Sequence, residues 1–358
     1  MIHTRGLTRH FRAKGETVEA VKGIDLDVAA GELVAFLGPN GAGKSTTLRM
    51  LTTLLRPTSG TATVVGRDVE ADPAGVRRRI GFIGQGNGAG HSQKAQDELV
   101  VQGRMYGLSR RDARARSEEL LAALDLTELA GRTVSSLSGG QQRRLDIALG
   151  MVHRPELLFL DEPSTGLDPQ NRANLAGLIE RLRSEHGTTI VLTTHYLDEA
   201  DSLADRVIVI DHGVVIADDT PQRLKDELAG DHMVLTVAEV GDVVAVRNAI
   251  ERTGVAQELT VDGPVVDARV RGGSTLLPGL LRDLDGGGVT IAAATVARPT
   301  LDDVFLTLTG RSLRDDASRG SEDATDGDVV DVTTTGSTSS PTEAPRATHA
   351  TDLQEVPS

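Results

Sequence analysis

Nine residues from Gly38 to Thr46, "GPNGAGKST", have the makings of a phosphate cradle. Gly38, Gly41 and Gly43, with Pro39, Asn40 and Ala42 between them, let successive backbone N–H groups turn toward one point, and a helix start adds its dipole. Lys44 has the length and charge to reach β- and γ-phosphates. Ser45 can set its hydroxyl on Mg2+, with Thr46 beside it in the first helical turn. A plain glycine-rich turn is the alternative, but every fixed position of the eight-residue pattern is present, between a strand-like and a helix-like run.

Other residues suit the same chemistry. "LLFLDEP" is an apolar run ending in two acids: Asp161 would sit at the carboxyl end of a buried strand and hold Mg2+, and Glu162 would act as general base on the attacking water. His195 ends the run "TIVLTTH" on the same sheet edge, where it can contact the γ-phosphate and keep the water and Glu162 in register. Gln85, closing "IGFIGQ", can ligate Mg2+ through its amide oxygen. Phe11 is either a core aromatic or a ring stacked on adenine. "LSGGQ", Leu137 to Gln141, looks like half of a second phosphate site, with glycines before a helix and no lysine.

The elements that must position these residues follow from periodicity. "GIDLDV" alternates as a half-buried strand does, while "ELVAFLG", "LLFLDEP" and "TIVLTTH" are continuous apolar runs suited to strands covered on both faces. Residues 86–136 turn helical, as in "RRDARARSEELLAALDL", and are read as a helical subdomain inserted into an α/β domain spanning 1–225. Residues 230–310 read as βαββαβ, the order of a ferredoxin-like sandwich, closed by the helix "TLDDVFLTLTG" with Thr300 as its N-cap. Residues 311–358, rich in Ser, Thr, Asp and Gly, are expected to be a disordered acidic tail.

Taken together, "GPNGAGKST", Gln85, "LSGGQ", "LLFLDEP", the "GLD" of "STGLDP" and His195, in this order and spacing, resemble the nucleotide-binding subunit of ABC transporters over residues 1 to about 220. The resemblance implies a P-loop ATPase that binds ATP with Mg2+ and works as a homodimer. In such a dimer Ser138, Gly139 and Gly140, with Gln141 in the same motif, serve the γ-phosphate held by the other copy's Lys44, and the Asp168 loop lies along the interface. It also implies a separately encoded membrane permease, contacted through the segment after Gln85, and a place at the cytoplasmic face of the membrane. "TTHYLDEAD" and "PTLDDVFLTLTG" further resemble the daunorubicin-resistance branch, implying export of a hydrophobic drug, antibiotic or lipid-like molecule. An importer subunit and a soluble ABC ATPase acting on nucleic acid or the ribosome are the alternatives.

Composition agrees with this and narrows it. The net charge of −14 disfavours a nucleic-acid partner, and from Arg311 onward ten acids face four arginines. The chain has no cysteine, which excludes disulfides and thiolate zinc sites. The opening "MIHTRGLTRHFRAKGE" lacks the apolar core of a secretory leader, and no run approaches the roughly 18 apolar residues of a membrane span. The basic clusters "RRRI" and "SRRDARAR" are expected to be solvated faces.

Overall fold

The apolar runs that the sequence sets between glycines and acids become the central strands of a parallel sheet. The computed structural model describes residues 1–13, 16–86, 88–310 and 312. The expected tail therefore lies outside the described residues, Ser312 apart. In chain order come β1 (Ile2–Ala13), β2 (Glu16–Val28), β3 (Leu33–Leu37), α1 (Lys44–Leu51), β4 (Ser59–Val64), β5 (Arg67–Asp68), α2 (Pro73–Arg77) and β6 (Ile80–Ile83). Then follow α3 (Ala95–Met105), α4 (Arg110–Ala123), α5 (Gly139–Met151), β7 (Leu157–Asp161), α6 (Pro169–His186), β8 (Thr189–Thr194), α7 (Leu197–Leu203), β9 (Arg206–Asp211), β10 (Val214–Asp219) and α8 (Pro221–Leu224).

One sheet is ordered β2-β1-β4-β5 with antiparallel pairs, and a second β10-β9-β3-β8-β7-β6, parallel except for β10. Period-two side-chain alternation splits the central strands between two cores. Leu33, Ala35 and Leu37 of β3, Leu158 and Leu160 of β7, and Ile190 and Leu192 of β8 join a cluster with α5, α6 and the helical segment. Val34 and Phe36, Leu157 and Phe159, and Val191 face the other way, into a cluster with α1 and the first sheet. Burial on both faces is why these strands read as unbroken apolar runs. Between β6 and α5 the described residues hold helices and turns, with a single isolated bridge from Lys94 to Thr133.

A third sheet uses β11 (Asp231–Val237), β12 (Ala256–Asp262), β13 (Val265–Val270) and β14 (Ile291–Ala297), with α9 (Val243–Arg252) and α10 (Gly273–Gly286) between them and α11 (Leu301–Thr309) after them. Its order, β12-β13-β11-β14 with every pairing antiparallel, is the ferredoxin-like arrangement. Val246 and Ile250 of α9 and Leu280 and Leu284 of α10 fill its core with Met233, Leu235, Val266 and Ala268.

α11 forms as expected, with Thr300 as its N-cap and Gly310 as its stop, but its apolar stripe lies outside this sheet's core: Leu301, Val304 and Phe305 join Ala200, Leu203, Leu224 and Ala229 in the cluster of the parallel sheet, against α7 and α8. α9 and α10 already cover the sheet's apolar face, so the α11 stripe buries itself elsewhere. The basic cluster of α4 is not wholly the expected solvated face. Arg116 is buried, donating to the Met151 and Val152 carbonyls and to Glu119. Its guanidinium caps the carboxyl end of α5, a favourable place for a cation.

Candidate active site

The phosphate loop is forced into shape by what surrounds it. A Cβ on Gly38 would fall 2.1 Å from the Ile210 carbonyl oxygen. Gly43, with φ of 105°, is the N-cap of α1, and no side chain caps that helix. The first-turn N–H groups are thereby left to a ligand. Lys44 is buried and donates to the carbonyls of Gly38 at 2.7 Å and Pro39 at 2.9 Å, with Glu162 Oε1 3.8 Å away. Burial pulls its ammonium below the ordinary value, while Glu162 and Asp161 resist that pull. A cleft of about 360 Å3 is lined by Asn40 to Thr46, Gln85 and Glu162.

Behind the cleft, β7 ends in the two acids. Asp161 is buried, and its Oδ1 accepts from Ser45 Oγ and Thr193 Oγ1, each at 2.7 Å. Gln85 Nε2 lies 3.3 Å from Ser45 Oγ, so the amide nitrogen faces the hydroxyl; the nearly isosteric flip of that amide would present the oxygen. Ser45, Asp161 and Gln85 thus converge on one spot. Among the described residues no group of three His, Asp or Glu forms a metal cage, so a divalent cation here would need phosphate oxygens to complete its shell.

Glu162 sits at φ 47°, a left-handed conformation that costs a non-glycine residue free energy. Its N–H is held by Thr193, through Oγ1 at 2.9 Å and the carbonyl at 3.2 Å. This turn points its carboxylate into the cleft, where Thr165 Oγ1 donates to Oε2 at 3.2 Å. His195 Nδ1 stands 3.5 Å from Oε2, within ion-pair range but without a formed hydrogen bond, and is buried without another partner among the described residues. Burial alone would raise the Glu162 carboxyl, but His195, Lys44 and Thr165 outweigh it, and its pKa lies below the ordinary value. The arrangement offers an ionised carboxylate beside a phosphate cradle, which can accept a proton from water.

The remaining candidates lie apart from this cleft. Ser138 caps α5 in a reciprocal box, its Oγ accepting from the Gln141 N–H at 3.4 Å while Gln141 Oε1 accepts from the Ser138 N–H at 2.9 Å. Gln141 thus folds onto its own helix. Ser138 and Gly139 are exposed, whereas Gly140 is packed so that an added Cβ would meet Asn171 Oδ1 at 2.7 Å. Asn171 in turn bonds Asp168, the N-cap of α6, joining Asp168 to the Ser138–Gln141 group. Phe11 is exposed on β1 with the Arg9 guanidinium 4.7 Å over its ring, so it is not a core aromatic. Three participants escaped sequence reasoning: Thr193, which braces both acids, and Arg143 and Asp146 of α5, which bond the backbone on either side of Gln85. The only signal for Asp146 was an acid inside the otherwise apolar "LDIALGM".

Residues 21–165 match the ABC transporter domain. The chain is 43% identical over 296 residues to a daunorubicin resistance ATP-binding protein of Streptomyces coeruleorubidus, covering 83% of this chain and 93% of that one. The chain belongs to the ABC transporter ATP-binding family. It is 38% identical to the doxorubicin resistance ATP-binding protein of Mycobacterium tuberculosis, covering 84% of this chain and 91% of that one. To the linearmycin resistance ATP-binding protein of Bacillus subtilis it is 36% identical, covering 82% and 95%. Among solved structures it is similar to a dimeric ATP-binding cassette in a post-hydrolysis state with ADP and Pi, at 27% identity and TM-score 0.57, covering 62% of this chain and 98% of that one. As a member of this family the ABC chain is an ATP-binding ATPase. No described helix is long and apolar enough to cross a membrane.

Proposed function

We propose that this ATPase is the motor of an exporter for a hydrophobic drug, antibiotic or lipid-like molecule. It would work as a head-to-tail homodimer at the cytoplasmic face of the membrane, under a separately encoded permease. One observation carries the dimer. The phosphate-loop cleft and the Ser138–Asp168 group lie apart on one chain, and Ser138, Gly139 and Asp168 are exposed, so we read the two as half-sites. In this reading Gly38 to Thr46 cradle the phosphates and Lys44 leaves its loop carbonyls for the β- and γ-phosphate oxygens. Phe11 stacks on the adenine. Ser45, Asp161 and Gln85 hold Mg2+, which supplies charge neutralisation on the phosphates. Glu162 accepts the proton of the attacking water, and His195 orients both. Ser138, Gly139 and Gly140 close on the partner's γ-phosphate, with Asp168 and Gln141 shaping that edge.

The resistance names of the relatives support the cargo class, and an exporter needs its permease beside it. We read residues 1–225 as the ATPase domain with 86–136 as its inserted helical subdomain, and 230–310 as an accessory domain that α11 straps back onto the ATPase. Glu162→Gln tests the shared site. Removing a general base slows turnover about 100- to 10,000-fold. The variant should bind ATP and elute as a dimer from size-exclusion chromatography only when ATP is present. A monomer at saturating ATP contradicts the reading.

A further inference from the structure

Helix α5, the signature helix because it opens on the LSGGQ motif, carries two buried charged residues that the ATPase reading leaves without a role. Arg143 and Asp146, one turn apart, are 6% and 4% exposed. Arg143 reaches three carbonyls: Nη1 donates to Gly84 at 2.7 Å, Nε to Pro163 at 2.8 Å and Nη2 to Asp161 at 3.3 Å. Asp146 Oδ1 accepts from the Gly88 N–H at 2.9 Å and the Ala89 N–H at 3.1 Å. Three of the five contacts grip the segment carrying Gln85, at Gly84 immediately before it and at Gly88 and Ala89 three and four residues beyond it. The other two hold the backbone on either side of Glu162, at Asp161 and Pro163.

Burying these groups is costly. Burial lowers the Arg143 guanidinium and raises the Asp146 carboxyl, and Asp146 Oδ2 has no hydrogen-bond partner among the described residues. A half-satisfied buried carboxylate is a poor way to stabilise a helix that apolar residues would serve better. Its contacts are with backbone N–H groups of the Gln85 segment, so its geometry points to placement of that segment.

We propose that Arg143 and Asp146 are positioning residues that clamp the Gln85 segment to the signature helix, so that α5 and Gln85 move as one body. Under the shared-site reading, on which this consequence rests, docking of Ser138 and Gly139 onto the partner's nucleotide sets the Gln85 of the same chain. Each chain then carries the state of one composite site into the other.

The test is a double-mutant cycle on the full chain, reading kcat and KM for ATP in Gln85→Ala, Asp146→Ala and the double variant. A small misplacement near the chemistry costs up to about a hundredfold in rate, so each single variant should lose roughly tenfold to a hundredfold in kcat with KM unchanged. If Asp146 acts through Gln85, the double variant should be no slower than Gln85→Ala. Losses that multiply, as those of independent sites do, overturn the clamp. Asp146→Asn keeps the oxygen acceptor and should retain turnover, and a loss as deep as that of Asp146→Ala also overturns it. Asp146→Leu fills the volume without the acceptor, and it takes the alanine's place in the cycle should that variant fail to fold. A wild-type chain that never dimerises with ATP sinks the shared-site reading and leaves the cycle interpretable. A dimer with a multiplicative cycle sinks the clamp alone.

Discussion

The glycine-rich starts of α1 and α5 have opposite surroundings. At α1 two of the three loop glycines are there because the chain itself crowds them: Gly38 faces the Ile210 carbonyl and Gly43 the Ala20 carbonyl. That helix start has no side-chain cap and opens into a cleft with a buried lysine and a carboxylate. At α5 the start is finished with its own capping box, Ser138 and Gly139 face outward, and nothing lies within 4 Å of where a Gly139 Cβ would be. The first is a pocket and the second a face. A glycine crowded from within is explained by its own fold, whereas a glycine with open space above it asks for something from outside.

The comparison breaks most readily at α1. Lys44→Ala removes at least one hydrogen bond from a charged donor to phosphate, worth about 1.5–3 kcal/mol, so ATP affinity should fall at least about tenfold to a hundredfold. Titration with a fluorescent nucleotide measures this, and undiminished affinity removes the pocket from the account. The fold should survive, because burial already weighs against the charge on that ammonium.

At α5 the sharper probe is Gly139→Ala. Alanine is a better helix former than glycine by up to about 1 kcal/mol, and this site has room for a methyl on its own protomer. Thermal stability and ATP binding by the monomer should therefore hold or rise slightly. ATP-dependent dimerisation in the Glu162→Gln background should be lost, because the new methyl stands where the partner's phosphate approaches. A Gly139→Ala chain that still forms the dimer would leave the open space unexplained.

What was legible beforehand divides along the same line. The cradle, Asp161, Glu162 and His195 are set by neighbours in sequence: an apolar run fixes the strand, and the residues after it fall on the sheet's carboxyl edge. Local pattern was enough. Arg143 and Asp146 look like ordinary helix charges in "QQRRLDIA", and only the packing of α5 against β6 and the segments that follow β6 and β7 buries them. Arg116 misled for the same reason, since an arginine-rich helix does not announce which arginine turns inward. The helix of α11 was legible from its cap and its stop, but not what its apolar side packs against, which depends on the third sheet's face being already taken.

The smallest effect separates two roles that Ser138 combines. As an N-cap its Oγ accepts from Gln141 at 3.4 Å, a long contact, so Ser138→Ala should cost near the low end of the usual cap loss, about 0.5 kcal/mol. Glycine is tolerated at caps, so Ser138→Gly should cost only about a few tenths. The hydroxyl is absent from both. If capping were its whole purpose, melting temperature and turnover would rank together, with alanine below glycine. If the hydroxyl donates to the partner's γ-phosphate, the two variants should lose ATP-dependent dimerisation and turnover equally while their melting temperatures differ. Calorimetry and ATPase rates on the pair decide it, and a turnover ranking that follows stability would reduce α5 to a well-capped helix.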